Sequence, residues 1–215
     1  RELANFQVDG EVRRTTLGGW LPAQPGFDVV QIKARAAGPL ARLEHAGELQ
    51  AADVTVPKVK PLALTAQWQG RGDTVERLAA TASTATARLA LTGRLNPREA
   101  HWDTLELAHG DQLRLRLAAP VRVRWQDGMM IDDLQLRGPG TQVTGSVQWG
   151  ASGKVQLAME NFSSTWLADW LLDPPPAVQL QLVALSGKWE RGPMQFSMTT
   201  GASLDLGGGR TATVN

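Results

Sequence analysis

Apolar and polar side chains alternate with a period of two from one end of this chain to the other, and that pattern constrains it to a β-sheet with one apolar face. The alternation is cleanest where Leu113, Leu115 and Leu117 interleave with Arg114 and Arg116, and where Val121, Val123 and Trp125 interleave with Arg122 and Arg124. It takes in Phe6 and Val8; Val30 and Ile32; Val54 and Val56; Leu62, Leu64, Ala66 and Trp68; Ala85, Ala87, Leu89 and Leu91; and Leu134 and Leu136. It resumes at Val143, Gly145, Val147 and Trp149, at Val155, Leu157 and Met159, at Val178, Leu180 and Leu182, and at Met194, Phe196 and Met198. At ordinary strand lengths this makes on the order of ten or more strands.

Between the runs stand residues that supply positive φ or a fixed bend: Gly70-Arg71-Gly72-Asp73, Asp127-Gly128, Gly138-Pro139-Gly140 and Gly150-Ala151-Ser152-Gly153. Connections this short join antiparallel neighbours, since parallel strands need long crossovers, so the stretch from Gln112 to Glu160 reads as an up-and-down meander. Pro120 lacks an N–H and marks a break or edge position inside the Leu113 to Trp125 run. Strands end on Trp shortly before a Gly at Trp68, Trp125, Trp149 and Trp189, without the fixed period of a propeller or solenoid. These rings either cover the end of a core or line the rim of a groove. One helix is expected near 164–172: Ser163, Ser164 and Thr165 offer N-cap oxygens, and Trp166, Leu167, Trp170 and Leu171 share a helical face. Asp173-Pro174-Pro175-Pro176 stops it. Such a helix either plugs an apolar opening or conceals a sheet edge. Thr74 to Ala87, rich in Ala and Thr, fits helix and strand alike.

With 215 residues, 42% hydrophobic and 20% charged, the chain has the composition of a folded protein, and residues 1–215 read as one elongated unit. Its 22 basic and 21 acidic residues are mixed along the sequence, without the basic stripe that nucleic acid requires. The absence of cysteine excludes disulfides and thiol chemistry. No apolar stretch approaches the roughly 18 residues of a membrane span. Both ends read as lying within a longer protein, so any targeting segment or membrane anchor is expected outside the chain.

Sites for chemistry are hard to find. His45, His101 and His109 lack metal-ligand spacing and read as exposed strand-end residues. Asp132 and Asp133 would point to opposite faces of a regular strand and could not share a substrate. Ser163 and Ser164 lack a nucleophile elbow, and Gly207-Gly208-Gly209 lacks the following Lys and Ser or Thr of a phosphate loop. The expectation is a protein that is not an enzyme and that holds neither metal nor cofactor.

The geometric question is what covers so much apolar sheet, because the sequence offers almost no amphipathic helix to do it. A sandwich or closed barrel would bury the face against itself, and so would a sheet curled into a trough filled by acyl chains. Small inward residues, Ala66, Ala85, Ala87 and Gly145, would leave the interior incompletely filled and tilt the reading toward the trough.

The run Leu113-Arg114-Leu115-Arg116-Leu117-Ala118-Ala119-Pro120-Val121-Arg122-Val123 is followed by Met130-Ile131-Asp132-Asp133-Leu134-Gln135-Leu136-Arg137-Gly138, Thr144-Gly145-Ser146-Val147 and Val155-Gln156-Leu157-Ala158-Met159. This succession resembles the TamB family, the inner-membrane-anchored subunit of the translocation and assembly module, within the AsmA-like bridge-type lipid transfer proteins. Upstream, Val54-Thr55-Val56-Pro57, Leu89-Ala90-Leu91-Thr92-Gly93-Arg94-Leu95 and Trp102-Asp103-Thr104-Leu105 are similar to that family's pattern, so the likeness spans roughly residues 30 to 200. The resemblance implies an all-β fold: a long antiparallel sheet curled into a trough, or β-taco, with an apolar interior, lying in the periplasm of a Gram-negative bacterium. It implies carriage of phospholipid between inner and outer membranes along that groove, supporting outer-membrane biogenesis. The implied protein partner is an outer-membrane barrel of the TamA or BamA type.

The residues implied to line the groove and touch phospholipid acyl chains are Leu62, Leu64, Trp68, Leu89, Leu91, Leu113, Leu115, Leu117, Val121, Val123, Trp125, Val143, Val147, Trp149, Val155, Leu157 and Met159. An ordinary core filled by side chains is the competing reading of the same positions. Two other functions compete: a scaffold that pairs its terminal strands with a partner by β-augmentation, and a sandwich-like surface adhesin.

Overall fold

The structure, a computed structural model, describes residues 3–13, 26–39, 42–126, 128–190, 195–205 and 211–214. Asp127, Met194 and the Gly207-Gly208-Gly209 turn lie outside the described residues. Within them the strands are β1 (Leu3–Arg13), β2 (Val29–Pro39), β3 (Glu44–Val54), β4 (Leu62–Arg71), β5 (Thr74–Ser83), β6 (Ala87–Asn96), β7 (Glu99–His109) and β8 (Gln112–Leu117). They continue as β9 (Val121–Arg124), β10 (Met129–Arg137), β11 (Gln142–Trp149), β12 (Ser152–Ser163), β13 (Val178–Glu190), β14 (Gln195–Asp205) and β15 (Thr211–Val214). All belong to one antiparallel sheet whose hydrogen-bonded order follows the sequence. The meander expected from Gln112 to Glu160 therefore extends across the described chain, and the second sheet that a sandwich needs is not formed among the described residues.

β8 and β9 share one place in the sheet, each pairing with both β7 and β10. The strand breaks at Ala118-Ala119-Pro120, as the missing N–H of Pro120 requires. The ambiguous Thr74 to Ala87 stretch is strand β5 and the connection after it, where Thr84 Oγ1 accepts the Ala87 N–H at 3.0 Å. Pairing with β4 on one side and β6 on the other settles what local composition leaves open. Ala85 lies in that connection and is exposed, so it is not one of the inward positions.

Bulges bend the sheet. Register shifts fall between Ala51 and Val54, Val75 and Leu78, Ile131 and Leu134, and Leu180 and Leu182. Others lie opposite Thr92–Gly93 and at Leu107–Ala108, which makes Asp103 and Arg114 extra residues in β7 and β8. Asp53 and Asp133 take φ of 52°, a left-handed conformation that Asp tolerates through local hydrogen bonding. Each bulge strengthens local twist and bends its strand.

The chain between β12 and β13 measures the resulting curl. It begins with a 3-10 helix, Ser164–Asp169, capped by Ser163. Leu171 then forms an antiparallel bridge with Val59, between β3 and β4. Seven inter-strand steps separate β4 from β12, about 33 Å in a flat sheet. Six 3-10 residues advance only about 12 Å. The bridge fits a sheet curled so that β12 approaches β4. The expected helix near 164–172 forms as a 3-10 helix over Ser164–Asp169, and of its two expected roles the concealment of a strand edge is ruled out, because β12 and β13 are interior strands. Asp173 precedes Pro174, which disfavours helical geometry at Asp173. The backbone is drawn instead into the bridge, with Lys60 N–H donating to Trp170 C=O at 2.8 Å and Leu172 N–H to Lys58 C=O at 3.0 Å.

Ser164 fixes where this segment turns back to the sheet. Its buried Oγ accepts the Val178 N–H at 2.8 Å and donates to Pro176 C=O at 2.7 Å. Ser164→Ala leaves both groups unpaired and is expected to cost about 2 kcal/mol, read as a lower urea midpoint at unchanged slope.

Little of this sheet is core. The chain exposes 14399 Å², whereas a compact globule of its 23.2 kDa would expose about 9,700 Å². Among the described residues the buried apolar side chains are Ala51, Val54, Ala87, Ala100, Leu115, Val121, Val143 and Val183, mostly small, and no bulky side chain is fully buried. A core closed by side chains would have buried Leu and Trp residues, and here most are half-buried.

Candidate functional site

Strand register turns the local alternation into continuous rows that cross the sheet. One runs Phe6, Ala36, His45, Gly70, Val75, Leu95, Ala100, Val123, Ile131, Val147, Val155, Gly187, Phe196, each residue the direct partner of the next from β1 to β14. A second runs Val12, Val30, Ala51, Leu64, Ala82, Leu89, Leu107, Leu115. A third passes through Ile32, Leu49, Ala66, Ala80, Leu91 and Leu105, and a fourth through Leu117, Leu136, Val143, Met159 and Val183. His45 is the one ionisable residue in the four. The rows lie across the strands, so together they make the apolar face continuous from strand to strand.

The expected lining residues fall on this face with two departures. Leu62, Leu64, Trp68, Leu89, Leu91, Leu115, Leu117, Val121, Val123, Val143, Val147, Trp149, Val155, Leu157 and Met159 keep the alternation that places them there. Leu113 does not: the extra Arg114 shifts it opposite Ala108, the partner of Arg88, which puts Leu113 in a row of the polar face. Trp125 follows β9 and is exposed, with its indole Nε1–H donating to Pro97 C=O at 2.8 Å, so it braces the β6–β7 turn. Sequence reasoning missed Leu49, Ala51, Trp102, Leu105, Leu107 and Leu185, which share the face.

Aromatic rings on this face lie over glycines of the adjoining strand. Trp68 covers Gly47, Trp102 covers Gly93, Trp189 covers Gly153, Phe196 covers Gly187, and the imidazole of His45 covers Gly70. The missing Cβ lets each ring lie flat against the backbone. His45 is thus an inward ring, not the exposed strand-end residue expected. His101 pairs with Asp103 at 3.1 Å, and only His109 ends its strand.

The polar face carries ion pairs between neighbouring strands. Cross-strand ion pairs join Lys33 to Glu48 at 3.6 Å, Arg71 to Glu44 at 3.3 Å and Arg122 to Glu99 at 3.8 Å. Arg124 pairs with Asp132, and Asp133 Oδ1 accepts from Gln135 Nε2 at 2.8 Å. The regular-strand argument about Asp132 and Asp133 does not apply, because a bulge separates Ile131 from Leu134; the two carboxylates nonetheless hold different partners. A furrow of about 890 Å³ lies beside Gln7, Lys33, Arg35, Glu48, Gln67 and Gln69. Its lining also takes in Val8, Ala34, Gly47, Trp68 and Leu78, and it contains the Lys33–Glu48 pair. Among the described residues no group of His, Asp and Glu is placed to hold a metal ion.

The two margins of the apolar face differ. At one, the loops β3–β4, β5–β6 and β7–β8 converge on residues 164–172. Asp169 accepts from Thr86 Oγ1 at 3.1 Å and holds His109 Nδ1 at 2.8 Å, while Lys60 Nζ donates to Ala168 C=O at 2.6 Å. Trp166 packs edge-on against Phe162, ring centroids 5.3 Å apart. This segment caps the margin. Asp169→Ala removes two of its ties and is expected to speed hydrogen exchange at the Lys60 and Leu172 amides about tenfold. Amides in β11 and β12 should be unchanged.

At the other margin several of the strands that run toward it carry Trp near their ends. Trp68, Trp125, Trp149 and Trp189 lie near the ends of β4, β9, β11 and β13, with Trp102 at the start of β7. Trp149 meets Trp189 edge-on at 4.8 Å. The repeat of Trp before Gly is therefore a belt along one margin, and its rings both cover backbone and line the rim. Comparison with protein-family models, curated proteins and solved structures found no match to this chain.

Proposed function

We propose that this chain is a segment of a conduit for phospholipid, whose acyl chains lie along the apolar rows of the curled sheet. The observation that carries the reading is the unbroken row from Phe6 to Phe196, apolar except at His45, on a face whose side chains are mostly half-buried. Burial of methylenes there would stabilise a bound chain by about 0.8 kcal/mol per CH₂. Apolar contact is not directional, so a chain can slide along the row without a register to break. On this reading the protein is a TamB-like bridge in the periplasm, carrying lipid between inner and outer membranes alongside an outer-membrane barrel of the TamA or BamA type. Organic extraction of the purified, folded protein should recover phospholipid. A folded protein that yields none, and takes up none from vesicles, would overturn the proposal.

Strand addition at the outer edge of β1 is a second reading, favoured by the exposure of Phe6 (57%) and Val8 (53%) on that edge strand. It predicts a partner whose binding is lost when Pro is introduced into β1 and is indifferent to charge placed at Val147.

A further inference from the structure

We infer that the groove is one-sided: lipid head groups lie along the Trp-lined margin, and the margin capped by residues 164–172 is closed to them. This rests on the acyl-chain reading above. A phosphate or glycerol ester is costly to bury among apolar groups, so the head must sit where the groove meets water. At the capped margin that boundary is occupied. The bridge between Val59 and Leu171, the Lys60 bond to Ala168 and the Asp169 ties would all have to break to admit a head group.

The opposite margin has the chemistry of a polar–apolar boundary. β12 separates the two margins by about 36 Å. There Trp125 and Met129 are each 41% exposed and Trp149 is 51% exposed, next to the Val147 and Val155 row. The rings are fixed: Trp125 donates to Pro97 C=O and Trp189 to Gly150 C=O at 3.1 Å. Among the described residues no group accepts from Trp149 Nε1, which leaves an exposed donor for a lipid ester or phosphate oxygen. Indoles favour the level where hydrocarbon meets head group, because one end of the ring system is apolar and the other donates a hydrogen bond.

The test uses the unaltered protein with vesicles of phosphatidylethanolamine and phosphatidylglycerol. These carry one of two photoreactive phosphatidylethanolamines, with the diazirine on an acyl-chain end or on the head-group amine. After irradiation, labelled residues are mapped by mass spectrometry. The tail probe should label the Val147 and Val155 row. The head probe should label Met129 and Trp149 about tenfold more than Leu167 and Leu172 of the cap, the ratio expected from a modest preference between sites. Leu167 and Leu172 are 39% and 57% exposed, so unequal labelling would not reflect access alone. Tail labelling of the row with head labelling equal at both margins, or stronger on the cap, overturns the one-sided groove while the acyl-chain reading stands. A tail probe that leaves the row unlabelled overturns both.

Discussion

Val147→Asp should empty the groove while leaving the sheet folded. Val147 sits mid-row between Ile131 and Val155, half-buried, with Gln148 beside it on the exposed polar face. In the unliganded sheet the new carboxylate reaches water, so the expected loss of stability is about 1 to 2 kcal/mol. With an acyl chain laid over it, the same carboxylate has no partner and loses its hydration. That penalty of several kcal/mol should reduce co-extracted phospholipid by more than about tenfold. Gln148→Asp, one residue away, should retain the wild-type amount. Circular dichroism and thermal unfolding of both variants separate loss of lipid from loss of fold.

A large loss of stability is expected on adding a side chain at Gly47. A Cβ there would strike the Trp68 ring and stand 2.8 Å from the Lys33 carbonyl oxygen. The ring could move, but the backbone oxygen belongs to the β2–β3 ladder, where Lys33 is the partner of Glu48. Gly47→Val should therefore cost about 3 kcal/mol in urea unfolding, despite the better strand propensity of Val. Combining it with Trp68→Ala should cost less than the sum of the two single changes, because one of the two clashes is gone. Additive costs would mean that Trp68 does not lie over Gly47.

The regular parts of this sheet can be read locally. Leu113 to Trp125 declares a strand through Leu and Arg alternation, and Pro120 marks its break, because both signals lie within one stretch of chain. β3 is obscured because its inward positions His45, Gly47 and Ala51 are polar or small, so the apolar alternation fades although the strand is paired on both sides. β7 is obscured by Asp103: Ala100 and Trp102 point inward, then the bulge changes parity and Leu105 and Leu107 do so. The same mechanism misplaces Leu113 through Arg114. Bulges are cross-strand events, and a period-two pattern carries no record of the partner strand.

The site shows the same division. Its apolar face follows from alternation, but the glycine under each ring is on another strand, and the curl is revealed by the ties of residues 164–172 to distant loops. The Trp belt was within reach. Alternate strands of a meander run in the same direction, so strands that end on Trp place their rings at one margin. The helix near 164–172 is legible from its cap and its Trp and Leu spacing, but its 3-10 form and its tie to the β3–β4 loop are not local properties.

The central claim, that the apolar face is occupied by lipid, is tested most directly by photo-crosslinking. A benzophenone amino acid placed at position 147, with position 148 as the outward control, would be irradiated in the presence of phospholipid vesicles. Lipid adducts at 147 and none at 148, with the sheet intact by circular dichroism, are the predicted result. An intact sheet with no adduct at 147, or with equal adducts at both positions, would contradict it.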